Sequence, residues 1–352
     1  MGNETINLGI IGTGGMAANH VAKFKEVGGC HILSAFDIDF DRARVFAEKH
    51  QIHKVYPDFE PFIADPDLDA VSIVTPDDSH CSISLKAIEK NLHVLCEKPL
   101  ALNYADAKKM ADAAKKKQLI NMVNFTYRNA SALQKARELI QNGKIGEVKH
   151  VEASYLQTWL TAKVWGDWRK EPKWLWRLSE KHGSKGVLGD VGVHILDFAT
   201  FPIGPLASVH CLLKTFHKAE NDQIGEYRLD ANDSAIITCE YENGAIGTVH
   251  TSRWATGQVN SLSLKIFADQ GAIKINLDES MDHLMLCRGD NVETSSFVPI
   301  ACEATPNIFK RFITSVRTGK NAQPDFEQGA RIQKLLDACF RSHQSGQTVK
   351  II

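Results

Sequence analysis

Apolar and polar positions follow two different rhythms along this chain, and the change of rhythm divides it. From Ile6 to Val123, short runs that are apolar on both sides (from Ile6, Ile32–Phe36, Ala70–Val74, His93–Cys96 and Leu119–Val123) alternate with amphipathic stretches. Runs of that kind predict strands buried on both faces, as in a parallel sheet. The stretches between them predict helices from Met16, from Asp41 or Arg42, over Ser79–Asn91 with Ile83, Ala87 and Ile88 on one face, and over Asn103–Lys117. Asn91 falls where a left-handed C-cap is expected. Five or six strands with crossover helices make a doubly wound parallel α/β domain over residues 1–123.

Past Val123 the pattern changes. A helix is expected over Ala130–Asn142, and Val148–Gln157 then alternates as a strand with one wet face does. Six more segments between Ala207 and Cys287 are set off by turns such as Glu242-Asn243-Gly244 and Asp269-Gln270-Gly271. They predict an α+β domain over residues 124–352 on a predominantly antiparallel sheet. Ala304–Thr318 and Gln328–Ser345 are expected as its closing helices.

A chain of 352 residues, 43% of them hydrophobic, exceeds what one core usually serves, so composition also favours two domains. Forty-one basic against 42 acidic side chains leave a net charge of -1, which advertises neither a nucleic acid nor an anionic membrane as partner. No apolar run approaches the ~18 residues of a bilayer span. The eight cysteines form no CxxC pair, and no H-E-x-x-H spacing occurs, so neither a disulfide framework nor a metal site is expected. The N-terminus has no basic or apolar leader region, and a cytoplasmic protein is expected.

Three stretches carry candidate chemistry. Gly12, Gly14 and Ala17 follow the first strand in the order G-x-G-x-x-A. Gly12 permits a tight turn, Gly14 a close approach of backbone to a pyrophosphate, and Ala17 close packing of helix on strand; the anion then sits on the helix N-terminus. The cofactor is expected on Gly12, Thr13, Gly14, Gly15 and Met16. Asp37 lies 25 residues beyond Gly12, where a carboxylate accepts from ribose hydroxyls and repels a 2′-phosphate, favouring NAD over NADP. Asp39 is the expected cap of the helix that follows. Next, five of the six tryptophans fall between Thr158 and His182; indole faces can stack on sugar C–H faces, or else anchor a long loop. Finally, Gly189–Asp197 is expected as a helix that puts Asp190 and His194 at i and i+4 on one face, an imidazole beside a carboxylate that orients it.

Together with the glycine fingerprint, the turn Thr75-Pro76-Asp77-Asp78-Ser79-His80, the strand end Glu97-Lys98-Pro99, the Trp176-Arg177 pair, Gly186–Asp197 and the ending Gly346-Gln347-Thr348-Val349 resemble the Gfo/Idh/MocA superfamily (glucose-fructose oxidoreductase, inositol dehydrogenase, rhizopine catabolism) over nearly the whole chain. The resemblance implies a Rossmann domain followed by a large, open sheet whose exposed face pairs subunits as a homodimer or homotetramer. It implies an NAD(P)-dependent oxidoreductase acting on a secondary hydroxyl or keto group of a sugar, polyol or inositol. It adds Thr75, Pro76, His80, Glu97 and Lys98 to the cofactor site, with Lys98 between nicotinamide and substrate, and places Tyr127, Trp176, Arg177, Asp190 and His194 at the substrate. Hydride transfer from an alcohol needs a base at the hydroxyl and positive charge for the developing alkoxide. His194 is the expected acid/base, Lys98 the cation and Asp190 the orienting partner. The chain departs from the pattern at Asp77, Asn91 and Ser184-Lys185, the last of which bears on pocket shape. The superfamily also includes NAD-dependent glycoside hydrolases and non-catalytic sugar-responsive regulators.

Overall fold

The structure, a computed structural model, describes residues 5–351; the first four residues of the segment read above for a leader lie outside them. Two compact units emerge, Met1–Thr126 with Pro306–Gln333, and Tyr127–Thr305 with Lys334–Ile352.

In the first unit, β1 (Ile6–Ile11), α1 (Ala17–Val27), β2 (Cys30–Phe36), α2 (Phe40–His50), β3 (Lys54–Tyr56), α3 (Phe59–Ile63), β4 (Ala70–Ile73), α4 (His80–Glu89), β5 (His93–Cys96), α5 (Tyr104–Lys116) and β6 (Asn121–Val123) follow in turn. Their strands form one sheet in the order β3-β2-β1-β4-β5-β6, every adjacent pair parallel. All of β4 and β6 is buried, as strands covered on both faces require. The order reverses between β1 and β4, and in such sheets the crevice beyond the carboxyl ends at that point takes the ligand. Asp39 caps α2 by accepting from the Arg42 N–H at 3.0 Å, and Asn91 follows α4 with φ +64°.

The boundary departs from the expected 1–123. Residues 306–333 return to the first unit, whereas the sequence assigns them to the second domain. The reason is apolar: helix α10, Ile308–Thr318, buries Ile308, Phe309, Phe312 and Ile313 in one cluster with Val21 and Phe24 of α1. Phe309 meets both His20 and Phe24 edge to face, with ring centroids 5.0 Å apart.

The second unit opens with α6 (Ser131–Gln141), β7 (Val148–Gln157), the short α7 (Pro172–Leu175) and α8 (Val193–Thr200). Then come β8 (Leu206–Lys214), a small hairpin of β9 (Gln223–Ile224) and β10 (Tyr227–Arg228), β11 (Ser234–Tyr241), β12 (Ile246–Ser252), β13 (Asn260–Ala268), β14 (Gly271–Asn276), β15 (His283–Arg288), α9 (Asp290–Glu293) and β16 (Val298–Ala301). Helix α11 (Phe326–Ser345) belongs to the first unit up to Gln333 and to the second from Lys334, and β17 (Val349–Lys350) follows it. Nine strands form a sheet in the order β16-β15-β14-β13-β7-β12-β11-β8-β17, antiparallel throughout except where β7 and β12 run parallel. In β11 buried and exposed residues alternate without a break from Ala235 to Tyr241, so one face is covered and the other is not.

The single helix expected over Gly189–Asp197 is instead a π-helical stretch, Leu188–Gly192, leading into α8. A wider π turn breaks the i, i+4 register, so α-helical spacing does not set the relation of Asp190 to His194. Glycine is needed there: a Cβ on Gly189 would lie 2.3 Å from Lys185 Cβ, and one on Gly192 2.8 Å from Leu188 Cδ1.

Candidate active site

The first unit brings its predicted residues to the carboxyl ends of β1, β2, β4 and β5. Gly12 has φ +88°, and a Cβ there would meet the Val74 carbonyl oxygen at 2.8 Å, so the turn passes β4 at backbone contact. Gly14 and Gly15 differ: a Cβ on either would meet nothing within 4 Å. The protein's own packing does not demand glycine at these two positions, and no side chain caps α1 among the described residues. A bare turn leading into an uncapped helix N-terminus suits a diphosphate. Exposed Met16 stands at its rim.

Asp37 is more occupied than a ribose ligand was expected to be. Its Oδ2 accepts from the Thr13 N–H at 2.7 Å, the Thr13 hydroxyl at 2.9 Å and Arg42 Nε at 3.2 Å. Its Oδ1 accepts from the Asp39 N–H at 3.0 Å and Arg42 Nη2 at 2.5 Å. Burial pushes the carboxyl up, but Arg42 and these amide and hydroxyl donors outweigh it and bring it down to about 2. Asp37 therefore anchors the glycine turn as well as marking the end of β2.

Glu97 and His80 are also committed within the protein. Glu97 Oε1 accepts from His20 Nε2 at 2.8 Å and from Asn124 Nδ2 at 2.5 Å, while Oε2 accepts from the Lys98 N–H at 3.1 Å. Burial raises its carboxyl, yet His20, Lys98 and Asn124 bring it down to about 2. His20 Nδ1 lies 2.8 Å from the Ser72 hydroxyl. The fully buried His80 has Nδ1 2.8 Å from the Pro99 carbonyl oxygen and Nε2 3.0 Å from that of Thr75. Both ring nitrogens are thus taken up by main chain, and His80, expected to touch the cofactor, holds two turns together instead. Thr75 and Lys98 are half-buried and Pro76 is exposed.

In the second unit His194 lies in α8, with the Tyr127 ring edge to face at 5.1 Å and the Tyr155 ring at 6.4 Å. The two hydroxyls are 2.7 Å apart; Tyr155 also donates to Asn260 Oδ1 at 2.8 Å, and Asn260 Nδ2 donates to the Tyr127 hydroxyl at 3.2 Å. Gln157 joins Asn260 at 2.9 Å and accepts from Trp159 Nε1 at 3.1 Å. Burial, then the Tyr127 contact, pushes the Tyr155 hydroxyl far above its ordinary range, so it stays a donor. The Asp190 carboxylate is 3.0 Å from Arg253 Nη2 and 3.7 Å from Arg177 Nε. Asp197, one turn beyond His194, forms a buried two-pronged pair with Arg128 at 2.5 and 2.6 Å.

The tryptophans separate by burial. Trp159 and Trp168 are 3% and 2% exposed and form a core with Leu160, Leu175 and Leu178, against which Trp165 and Trp174 pack. Trp176 is 37% exposed, with the Arg177 guanidinium 4.6 Å from its ring centroid. Of the five, Trp176 keeps an open face.

Sequence reasoning missed His20, Arg253, Tyr155, Gln157 and Asn260. Tyr155 and Gln157 had a signal: they share strand parity with buried Val151 and Ala153 on β7, and polar groups on a buried face need partners. Arg253 and Asn260 had none, because their partners are distant in sequence.

Comparison with known proteins agrees with both units. The family model described as an oxidoreductase family with an NAD-binding Rossmann fold matches residues 6–125, and that of the GFO/IDH/MocA C-terminal domain matches residues 133–274. Levoglucosan dehydrogenase of Pseudarthrobacter phenanthrenivorans is 30% identical over 256 residues, 68% of this chain and 63% of that protein. Myo-inositol 2-dehydrogenase of Thermotoga maritima is 26% identical over 351 residues, 98% of each chain. A solved levoglucosan dehydrogenase in complex with NADH and levoglucosan superposes with a TM-score of 0.87 at 24% identity, covering 99% of this chain and 100% of that one, a likeness of fold.

Proposed function

We propose, from the premise that the chain belongs to the GFO/IDH/MocA oxidoreductase family, that it is an NAD-dependent dehydrogenase acting on a secondary hydroxyl of a sugar, polyol or inositol. The observation that carries this is local to the first unit: a bare glycine turn at the β1–β4 switch point, with Lys98 leaving the neighbouring strand end of β5. Gly12, Thr13, Gly14, Gly15 and Met16 would hold the diphosphate, Asp37 the ribose, and Thr75, Pro76 and Lys98 would border the nicotinamide. When bound, NAD supplies the hydride acceptor.

The chain's own residues supply the rest. His194 takes the hydroxyl proton as the carbon becomes carbonyl and returns it in the reverse direction. Lys98 offers positive charge to the oxygen as it develops alkoxide character. Asp190, held by Arg253, fixes the polar edge near α8, and Trp176 and Arg177 with Tyr127 offer a sugar one stacking face and hydrogen-bond donors. The experiment is NADH formation across a panel of inositols, aldoses and anhydrosugars, with Lys98→Ala and His194→Ala in parallel. Each variant should lose ~10²-fold or more in kcat. Turnover within about 3-fold of wild type in both would remove the assigned roles.

Subunit pairing belongs to the same reading. Leu212 and Ile236 stand opposite each other on β8 and β11, 57% and 52% exposed, on the uncovered face of the large sheet. An exposed apolar pair there suits a homodimer or homotetramer interface. Among the described residues no helix is long and apolar enough to cross a membrane; a cytoplasmic location is part of the proposal.

A further inference from the structure

The two chain neighbours of Lys98 are each fixed by a different buried imidazole. On one side His20, from the helix that follows the glycine turn, bonds the Glu97 carboxylate at 2.8 Å. On the other, His80, the first residue of α4, reaches the Pro99 carbonyl at 2.8 Å and the Thr75 carbonyl at 3.0 Å. His20 and His80 are both fully buried.

The groups around the two rings differ. His20 faces a carboxylate at Nε2, which accepts, and a hydroxyl at Nδ1, which can give or take a hydrogen bond. Besides the Cys96 thiol, His80 faces two carbonyl oxygens, which only accept. A neutral imidazole can donate to one of them and would turn a lone pair on the other; the doubly protonated ring donates to both. We propose that His80 is a positioning residue for Lys98: a buried imidazolium that ties the Thr75-Pro76 turn to the Lys98-Pro99 turn, with His20 closing the other side through Glu97. This rests on Lys98 serving hydride transfer as assigned above.

The surroundings of His80 agree with a charged ring. Burial opposes protonation, but Cys96 on β5, Asp77 in the preceding turn and the Pro99 carbonyl outweigh it and carry the imidazole up to about 10. A charge-assisted bond to each carbonyl is stronger than a neutral one, which suits a ring that must hold two turns at once.

The test uses the full-length protein labelled with 15N-histidine. At about pH 8 an ordinary histidine, with a pKa near ~6.5, is neutral. One imidazole should still show two protonated nitrogens, and its signals should vanish in His80→Gln. A spectrum with no doubly protonated ring at that pH overturns the proposal, whatever the enzyme turns over. Kinetics on the sugar that wild type oxidises then tests positioning. His80→Met should lower kcat by about 10-fold or more with NADH Kd held within about 3-fold, because a small misplacement of a reacting group is costly. His80→Gln, which keeps one amide donor for one carbonyl, should fall between Met and wild type. If both variants keep wild-type kcat, His80 does not position Lys98; if Met fails to fold, Gln and the spectrum still decide. Wild type that oxidises no sugar while keeping the charged ring would count against the proposed reaction instead.

Discussion

The Arg253 guanidinium, with no exposed surface, donates from Nη2 to the Asp190 carboxylate at 3.0 Å, so the carboxylate predicted to serve the site is itself held by a buried cation. Nη1 of the same group donates to the Arg177 carbonyl at 3.0 Å, which joins the end of β12 to the Trp176-Arg177 loop. Removing one partner of a buried pair leaves the other poorly solvated. Arg253→Met should destabilise the protein by about 2–3 kcal/mol, below the fully buried case because Asp190 is partly exposed. Arg253→Lys should recover only part, since an ammonium cannot span both acceptors. Urea midpoints measure this, and a Met variant as stable as wild type would refute it.

Cofactor choice depends on Asp37 and Arg42 together. Arg42 is half exposed and gives two bonds to Asp37. In Asp37→Ser the guanidinium is released beside the turn and becomes a ligand for a 2′-phosphate. The ratio of NADPH to NADH affinity, by nucleotide fluorescence, should rise about 10-fold or more, because a charge-assisted bond to the phosphate replaces the repulsion by the carboxylate. An unchanged ratio would mean Asp37 serves only to anchor the turn.

Acid stability should report Glu97. Its folded pKa of about 2 lies below the ordinary glutamate value of 4.5. A group depressed in this way contributes stability above pH 4.5 and loses it as pH falls toward about 2. The shift corresponds to roughly 3 kcal/mol, lost across that window. Urea unfolding from about pH 6 down to about pH 2 should show stability falling steeply there, and Glu97→Gln should flatten the same span. Parallel curves for the two proteins would refute the assignment.

The exposed pair Leu212 and Ile236 gives the test of subunit pairing. Leu212→Lys with Ile236→Lys puts two like charges opposite each other on the uncovered face. Light scattering coupled to size exclusion should show a smaller species than wild type. An unchanged mass, or a monomeric wild type, would move the interface elsewhere.

By itself the sequence determined what is local or periodic. Strands apolar on both sides, alternating with amphipathic helices, require a covered parallel sheet, and the alternation of Val148–Gln157 requires a sheet with one wet face. The spacing of Gly12, Gly14 and Ala17 after the first strand marked a tight turn, and Gly12 there has φ +88°. Asp39 capped α2 as short-range chemistry dictates.

Tertiary structure decided whatever depends on partners far apart in the chain. Residues 306–333 joined the first unit because Phe309 and Phe312 fill the space beside α1, a match of shape that no local pattern carries. The π turn at Leu188–Gly192 is tolerated because glycine stands at 189 and 192, where a Cβ would clash, and it undid the helical spacing of Asp190 and His194. His80 passed from cofactor ligand to clamp once two carbonyls converged on its ring. A spacing rule can place a side chain on a face, but what that side chain bonds is set by the groups that folding brings to it.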